Sequence, residues 1–278
     1  MIEKLKNLLL PRSRREQAAF LVEAAAVSHQ GRIRGNNEDN LYAQGRILPL
    51  FHSGTEDVWK FSLQKDLTAA VFDGMGGEAA GELASYTAAW GMKEFMRNLK
   101  GAVSLQEVSS LCVDLNHRVV EAARQEKYSQ IGTTAVMAFL GEGEYLICNL
   151  GDSPAYLFRN GRLSLLTLPH TNESSLKLQG ITGRKPGLTQ FLGIAEEELI
   201  LEPYMVQGDL REHDRILLCS DGLTDMVPEA EIEYILGEEP EAPDCLRRLL
   251  NKALEGGGRD NITMILCQIQ KRGEKAYG

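Results

Sequence analysis

Several acidic residues of this sequence stand close to glycines at the ends of apolar runs that are typical of buried strands. Four of them are Asp73, Asp152, Asp221 and Asp260, in the stretches VFDGMGG, NLGDSPAY, LLCSDGLTD and GGGRDNITM. RGNNEDNLYA adds Glu38 and Asp39 at the start of another such run, with Arg34 four residues before the glutamate. Because the ends of neighbouring strands converge, these carboxylates can share one pocket. Their mutual repulsion there requires cations, and divalent metal ions are the expected partners.

The glycine-rich turn after Asp73 is open to three interpretations. Its glycines can bring backbone N–H groups close to a phosphate, and residues 74–79 match the relaxed G-x-G-x-x-A form of a dinucleotide-binding turn. Alternatively, they let a metal approach the carboxylate and a backbone carbonyl, oxygen ligands that suit Mg²⁺ and Mn²⁺. The third interpretation is a tight turn with a solvated aspartate. A dinucleotide-binding oxidoreductase fits poorly, because Asp73 would repel a pyrophosphate and no strand-end acid follows about twenty residues later.

Composition narrows the class of protein. The 278 residues are 43% hydrophobic and 25% charged, with a net charge of −9, as expected of a soluble globular chain. The acidic balance argues against nucleic acid as a partner. No apolar run approaches the roughly 18 residues that span a bilayer, and the first residues make a poor signal peptide. The five scattered cysteines, with no C-x-x-C pair, favour reduced core thiols and a cytoplasmic location.

Hydrophobic periodicity predicts blocks of strands and helices. Strands are expected at 22–30, 39–48, 67–72, 133–140, 145–150, 155–159, 162–167, 199–206, 215–219 and 262–270. Helices are expected at 79–99, 104–126, 228–236 and 242–255, and Asn160-Gly161 predicts a tight hairpin. This order favours an α+β fold in which helices pack on antiparallel sheets. We expect a basic N-terminal arm over 1–20, one domain over 21–271 and a C-terminal tail over 272–278.

Six motifs together resemble the metal-dependent PP2C-type (PPM) serine/threonine phosphatases, and above all the bacterial short form. They are RGNNED, DGMGG, GTT, GDSPAY, SDGLTD and GRDNIT, in the family's order and spacing over roughly residues 22–270. The resemblance implies a four-layer αββα arrangement, a PP2C-like β-sandwich of two antiparallel sheets flanked by helix pairs. It also implies that phosphoserine and phosphothreonine are hydrolysed through attack by a metal-bridging hydroxide.

The resemblance implies a two-metal centre built by four residues. Asp73 would bridge two Mn²⁺ or Mg²⁺ ions, and the carbonyl of Gly74 would bind one of them. Asp221 and Asp260 would hold the other. Two such ions about 3.5–4 Å apart can generate a hydroxide and clamp phosphoryl oxygens, which is the chemistry that hydrolysis of a phosphate ester needs.

Further residues would surround that centre in the family's arrangement. Glu38 and Asp39 would act largely through metal-bound water, and Asp152 with Asp221 would form a third, weaker metal site. Arg34 would bind the substrate phosphate through its planar fork and, with Asp73 and Asp221, complete the catalytic set. The alternative for Arg34 is a surface ion pair with Glu38, and for Asp152 an ordinary turn residue.

The sequence departs from the family in three places. Met75 replaces a His that some relatives carry, so we expect a metal-bound water to protonate the leaving group, and His170 to be a surface residue. Pro154 stands where Arg is usual and could perturb the Asp152 turn. The segment 168–194, called the flap here, looks short. Its basic residues, Lys177, Arg184 and Lys185, face either an acidic phosphopeptide or solvent.

These observations favour an active, monomeric phosphoprotein phosphatase acting on phosphorylated proteins, with a serine/threonine kinase as its cognate counterpart. The alternative is a phosphatase-like regulatory or binding module with weak or no catalysis, suggested by the flap and Pro154. The intact acids Asp73, Asp221 and Asp260 argue against that alternative, because an inactive relative has no need to keep metal ligands.

Overall fold

The computed structural model describes residues 20–75, 80–99, 101–181, 183, 185–195 and 200–271. Residues 1–19 of the expected N-terminal arm, the C-terminal tail, and Gly76, Gly77 and Arg184 lie outside these residues, whereas Phe20, expected in the arm, begins a strand. Among the helices that are described, none is both long and apolar enough to cross a membrane.

Thirteen strands are found among the described residues, and they form two antiparallel sheets. They are β1 (Phe20–His29), β2 (Asp39–Ala43), β3 (Arg46–Ile47), β4 (Trp59–Gln64), β5 (Leu67–Met75), β6 (Gly132–Thr133), β7 (Ala135–Gly141), β8 (Glu144–Leu150), β9 (Ala155–Arg159), β10 (Arg162–Leu165), β11 (Tyr204–Asp209), β12 (Arg215–Cys219) and β13 (Ile262–Lys271). One sheet has the order β10-β9-β12-β13-β1-β4, and the other β11-β8-β7-β5-β2-β3, with β6 paired to β5.

Six helices lie in the described part of the chain. They are α1 (Gly81–Asn98), α2 (Leu105–Glu126), α3 (Glu173–Leu178), α4 (Asp221–Thr224), α5 (Glu229–Glu238) and α6 (Ala242–Glu255). The helices α1 and α2 share one apolar cluster with β5 and β7, in which Met92 of α1 and Leu115 of α2 are fully buried. The helices α5 and α6 share another with β12 and β13. A third cluster lies between the two sheets. The expected four-layer αββα arrangement is confirmed.

The strand β5 explains why so apolar a run precedes Asp73. Ala69 and Val71 belong to the core between the sheets, whereas Ala70 and Phe72 belong to the core beneath α1 and α2. Both faces of β5 are therefore covered, and alternation of polar and apolar residues gives way to a continuous apolar run. Asp73 is the first carboxylate along this run, so it marks the point where the strand leaves the core.

The predicted elements differ from the observed ones in a few places. The expected strand 39–48 is divided by a turn at Gln44-Gly45, where both residues have positive φ (45° and 83°). The strand expected at 199–206 lies at Tyr204–Asp209, and both the edge strand β4 and the short helix α3 were not predicted. The hairpin at Asn160-Gly161 is confirmed, with φ of 54° and 75°, as a type I′ turn requires.

Candidate active site

The site begins where β2 starts and β5 ends. These strands pair antiparallel with Asp39 opposite Asp73, so one sheet edge carries two adjacent carboxylates. Asp39 is 1% exposed, and Asp73 is partly buried. The backbone N–H of Asp73 donates to Oγ1 of Thr134 (3.1 Å), and the N–H of Thr134 donates to the carbonyl of Asp73 (2.9 Å). These bonds fix the end of β5 against Thr134, the residue between β6 and β7.

The second sheet brings Asp221 and Asp260 to the same place. Its strands β12 and β13 pair antiparallel, so the end of β12 and the start of β13 lie at one edge. Ser220, between β12 and Asp221, donates from Oγ to Oδ2 of Asp39 (2.8 Å) and accepts the N–H of Thr263 (3.0 Å). This buried serine therefore joins the two sheets directly beneath the acids.

Asn261 joins the loop that carries Arg34 and Glu38 to the start of β13. Its Oδ1 accepts the N–H of Glu38 (2.8 Å), and its Nδ2 donates to the carbonyls of Gln30 (2.8 Å) and Asn36 (2.9 Å). Asn261 itself is 3% exposed, so its amide meets these partners from a buried position. Since Asn261 follows Asp260, the same residue places the loop and the acid relative to each other.

The glycines in this region permit a close approach of three backbone segments. A Cβ at Gly74 would overlap the backbone oxygens of Glu38 and Gly81, and a Cβ at Gly81 would press on the Glu38 carboxyl carbon and the carbonyl carbon of Gly74. The N–H of Gly74 also donates to the Glu38 carbonyl (3.1 Å). The absence of a side chain at Gly74 is therefore required because the start of α1 packs directly on the end of β5.

Electrostatics in the site are dominated by repulsion between acids. Burial, together with the charges of Asp221 and Asp260, raises the pKa of Asp39 to about 7, although hydrogen bonds from Thr263 and Ser220 oppose the shift. Burial and the charges of Asp221 and Asp39 raise the pKa of Asp73 well above its ordinary value. These carboxylates cannot all be ionised without additional positive charge nearby.

Two basic side chains meet the outer acids. Arg34 Nη2 lies 2.8 Å from Asp260 Oδ2, and its Nη1 lies 3.7 Å from Glu38 Oε2. Lys185 Nζ lies 2.6 Å from Asp221 Oδ2. Within the described ranges, no three His, Cys, Asp or Glu side chains are gathered as a ready-made metal-ligand group. The outer acids instead contact these two cations.

The donor set nevertheless fits divalent metal. It consists of carboxylates and backbone carbonyls, the oxygen ligands that Mg²⁺ and Mn²⁺ prefer. Asp39 and Asp73 are the innermost acids, and neither forms an ion pair among the contacts described for them. A cation between the two sheets would offset their repulsion.

Asp152 lies at the side of the site, in a turn held by His170. Burial and the charge of Asp221 raise the pKa of Asp152 to about 6. The N–H of Gly151 donates to Nδ1 of His170 (3.3 Å), and the N–H of His170 donates to the carbonyl of Gly151 (3.0 Å). Burial lowers the pKa of His170, which fits this acceptor role. The expectation that His170 is a surface residue is thus incomplete, because it fixes the turn before Asp152.

The turn that contains Asp152 and Pro154 is hydrogen-bonded to the strands around it. The carbonyl of Pro154 accepts the N–H of Cys219 at the end of β12 (3.1 Å), and Oγ of the preceding Ser153 bonds to Oγ1 of Thr134 (2.6 Å). The Asp152 turn is therefore tied to both sheets.

Ser220, Asn261 and Thr134 support the site and were not singled out from the sequence. Ser220 and Asn261 directly adjoin Asp221 and Asp260 within the motifs SDGLTD and GRDNIT. Small polar residues next to strand-end acids are the pattern that could have identified them.

Comparison with known proteins agrees with this geometry. A family model described as "Protein phosphatase 2C" matches residues 54–255. The chain is 30% identical over 262 residues to the serine/threonine phosphatase stp of Listeria innocua, covering 89% of this chain and 96% of that relative. It is also 30% identical over 258 residues to the serine/threonine protein phosphatase PstP of Mycobacterium tuberculosis, covering 91% of this chain but only 46% of PstP.

Solved structures share the whole architecture. The catalytic domain of serine/threonine protein phosphatase PstP, determined in complex with two manganese ions, superimposes with a TM-score of 0.72 at 28% sequence identity. The match covers 90% of this chain and 99% of that one. The motifs, the two sheets with their paired helices and the convergence of acids at one end all agree with these matches, and the chain belongs to the protein phosphatase 2C family.

Proposed function

We propose that this chain is a metal-dependent phosphoprotein phosphatase that hydrolyses phosphoserine and phosphothreonine. The observation that carries the proposal is the pairing of Asp39 with Asp73 at the edge where Asp221 and Asp260 arrive from the other sheet. Membership of the family, and relatives named as serine/threonine phosphatases, support the same activity.

Metal ions are proposed to bind among the inner acids. Asp73, the Gly74 carbonyl, Asp221 and Asp260 would hold two Mn²⁺ or Mg²⁺ ions, with Glu38 and Asp39 next to them. Two such ions would supply a hydroxide nucleophile at neutral pH and clamp the phosphoryl oxygens. Asp152 would complete a third, weaker site with Asp221. The PstP catalytic domain crystallised with two manganese ions supports the first two sites.

Arg34 is proposed to bind the phosphate of the substrate. Its side chain is 44% exposed, and its guanidinium is held at the rim of the acidic cluster by Asp260 and Glu38. A planar guanidinium can bind two phosphate oxygens at once, and here it also offsets the negative charge that would otherwise repel a phosphate. Glu38 and Asp260 position the arginine, while its exposed face receives the substrate.

The proposal extends to the domain bounds, oligomeric state, partners and cellular location of the enzyme. We propose residues 21–271 as the phosphatase domain of a monomer, phosphorylated proteins as its substrates, and a serine/threonine kinase as its cognate counterpart. Five free, buried cysteines favour the cytoplasm. No observation favours the regulatory-module alternative, since the turn containing Pro154 is hydrogen-bonded to the strands around it.

The proposal is tested by phosphate release from a phosphothreonine peptide. We expect activity with Mn²⁺, loss of activity with EDTA, and loss of activity in Asp221→Asn with retained folding. Asp114→Asn is a matched control, because Asp114 is an exposed acid paired with Arg118 on α2. Phosphate release by the EDTA-treated enzyme at the untreated rate would contradict the proposal.

A further inference from the structure

Lys185 contacts the acids at the side of the site. Its Nζ lies 2.6 Å from Asp221 Oδ2 and 3.5 Å from Asp225 Oδ2. The same ammonium acts on Asp152, where its charge opposes the upward shift of the pKa that burial and Asp221 produce. Lys177, on the same flap, instead pairs with Glu173 one helical turn away (2.7 Å). Of the two flap lysines, only Lys185 contacts a carboxylate of the site.

Lys185 is held near these acids by the base of the flap. Asn172 and Gly187 exchange backbone and side-chain hydrogen bonds: the N–H of Asn172 donates to the Gly187 carbonyl (3.0 Å), and the N–H of Gly187 donates to Oδ1 of Asn172 (2.9 Å). The N–H of Thr189 donates to the carbonyl of His170 (2.9 Å). Since Lys185 stands two residues before Gly187, its ammonium is confined close to Asp221 and has a high effective concentration there.

We propose that Lys185 is a tethered cation that competes with a divalent metal ion for the Asp152–Asp221 side of the site. The proposal rests on the proposed function, because it requires that the site bind divalent cations. An ammonium on Asp221 Oδ2 and a metal ion on the same carboxylate would repel each other, and both need its negative charge. Loading of the outer metal therefore requires that Lys185, and with it this part of the flap, move away from Asp221.

This competition makes the chain's third metal site weaker than its acids alone would allow. Asp152 and Asp221 are the two carboxylates of the proposed site, and the nearby charge of Asp225 adds to their attraction for a divalent ion. Lys185 supplies one positive charge that must first be displaced. The apparent affinity of the site for the metal ion is therefore the intrinsic affinity multiplied by the fraction of time that the ammonium is away from Asp221. Removal of the charge should then tighten the outer site without changing its ligands.

Calorimetric titration of the whole chain with Mn²⁺ tests the proposal. We expect Lys185→Met to bind the weakest Mn²⁺ about two- to fivefold more tightly than the original chain, the range that an exposed ion pair supports. Lys185→Arg should keep the original affinity, because the positive charge remains. The double variant Asp152→Ala with Lys185→Met should lose the gain. Lys177→Met is the matched control and should leave every Mn²⁺ affinity unchanged.

The outcomes separate this inference from the proposed function. Two or more Mn²⁺ bound with the same affinities in Lys185→Met and the original chain would overturn the competition and leave the phosphatase proposal standing. Binding of no Mn²⁺ by any variant would overturn both. Since the Lys185 side chain is 62% exposed, its substitution should not unfold the protein, and equal thermal unfolding temperatures of the metal-free variants check this.

Discussion

Asp39 and Asp73 face each other across the antiparallel strands β2 and β5, and the Ser220 hydroxyl from the other sheet donates to Asp39. Two acids that would repel each other are therefore held together by the main chain and by a buried hydrogen bond. The arrangement should cost stability in the metal-free protein, and cations bound at the proposed site would recover it. This relationship links the fold to the chemistry proposed for it.

The first prediction concerns pH and stability without metal. Because the pKa of Asp39 rises to about 7 on folding, the folded state holds a proton there that the unfolded state, with a pKa near 4, has released. Stability should therefore fall as pH rises from about 4 to 7, by up to a few kcal/mol. Urea unfolding of the EDTA-treated chain at pH 5.5 and 7.5 measures the difference.

Asp39→Asn should remove the part of that dependence that Asp39 contributes, since an amide does not ionise, and leave the part due to Asp73 and Asp152, whose pKa values are also raised. Asp114→Asn should leave the dependence unchanged. Saturating Mn²⁺ should reduce the difference in the original chain as well. Equal free energies of unfolding of the metal-free chain at the two pH values would mean that folding does not raise the pKa of these acids.

The second prediction concerns Arg34. If Arg34 binds the substrate phosphate as proposed, replacement by Ala would remove charge-assisted hydrogen bonds to it, so we expect KM to rise about tenfold or more, with a smaller fall in kcat. Steady-state kinetics on a phosphothreonine peptide measure both constants. Arg124→Ala, which breaks an exposed ion pair with Glu121, is the control. Unchanged kinetics would assign Arg34 to its ion pairs alone.

The third prediction concerns Gly74. A methyl group at this position would meet backbone oxygens of Glu38 and Gly81, which cannot rotate away, so Gly74→Ala should destabilise the protein by about 2 kcal/mol or more. Gly35→Ala is the control, because a Cβ there would meet nothing within 4 Å. Thermal unfolding compares the two, and equal melting temperatures would show that α1 can shift without cost.

The fourth prediction concerns Asn261. Substitution by Ala removes the partner of backbone groups of Gln30, Asn36 and Glu38 in part-buried hydrogen bonds, which should cost about 1–3 kcal/mol. Mn²⁺ affinity should fall with it, because Asp260 and the Arg34 loop lose their common anchor. Asn251→Ala, on the exposed side of α6, is the control. Full stability together with full Mn²⁺ affinity would exclude the anchoring role.

Much of the fold follows from local patterns. The continuous apolar run before Asp73 identifies a strand covered on both faces, and α2 begins with a capping box between Ser104 and Glu107. The edge strand β4 was not predicted, although Trp59 and Phe61 alternate there with polar residues. It pairs with β1 alone, and a shift of register interrupts that pairing.

The contacts within the site are harder to predict from local sequence patterns than the fold is. Glycine-flanked acids at strand ends indicate a metal centre, but the register that places Asp39 opposite Asp73 depends on pairing between strands about thirty residues apart. The contact between Lys185 and Asp221 depends on the closure of the flap at Asn172 and Gly187. Such relationships are set by tertiary packing, so the sequence shows which residues carry chemistry but not which of them meet.

The most direct test of the central claim is the number of Mn²⁺ ions bound per chain, measured together with phosphate release in the original protein and in Asp73→Asn. We expect at least two ions on the original chain and activity that rises as they bind. Folded Asp73→Asn should lose at least one of these ions and about 100-fold or more in phosphate release. An Asp73→Asn protein that binds Mn²⁺ and releases phosphate like the original chain would contradict the proposed metal centre.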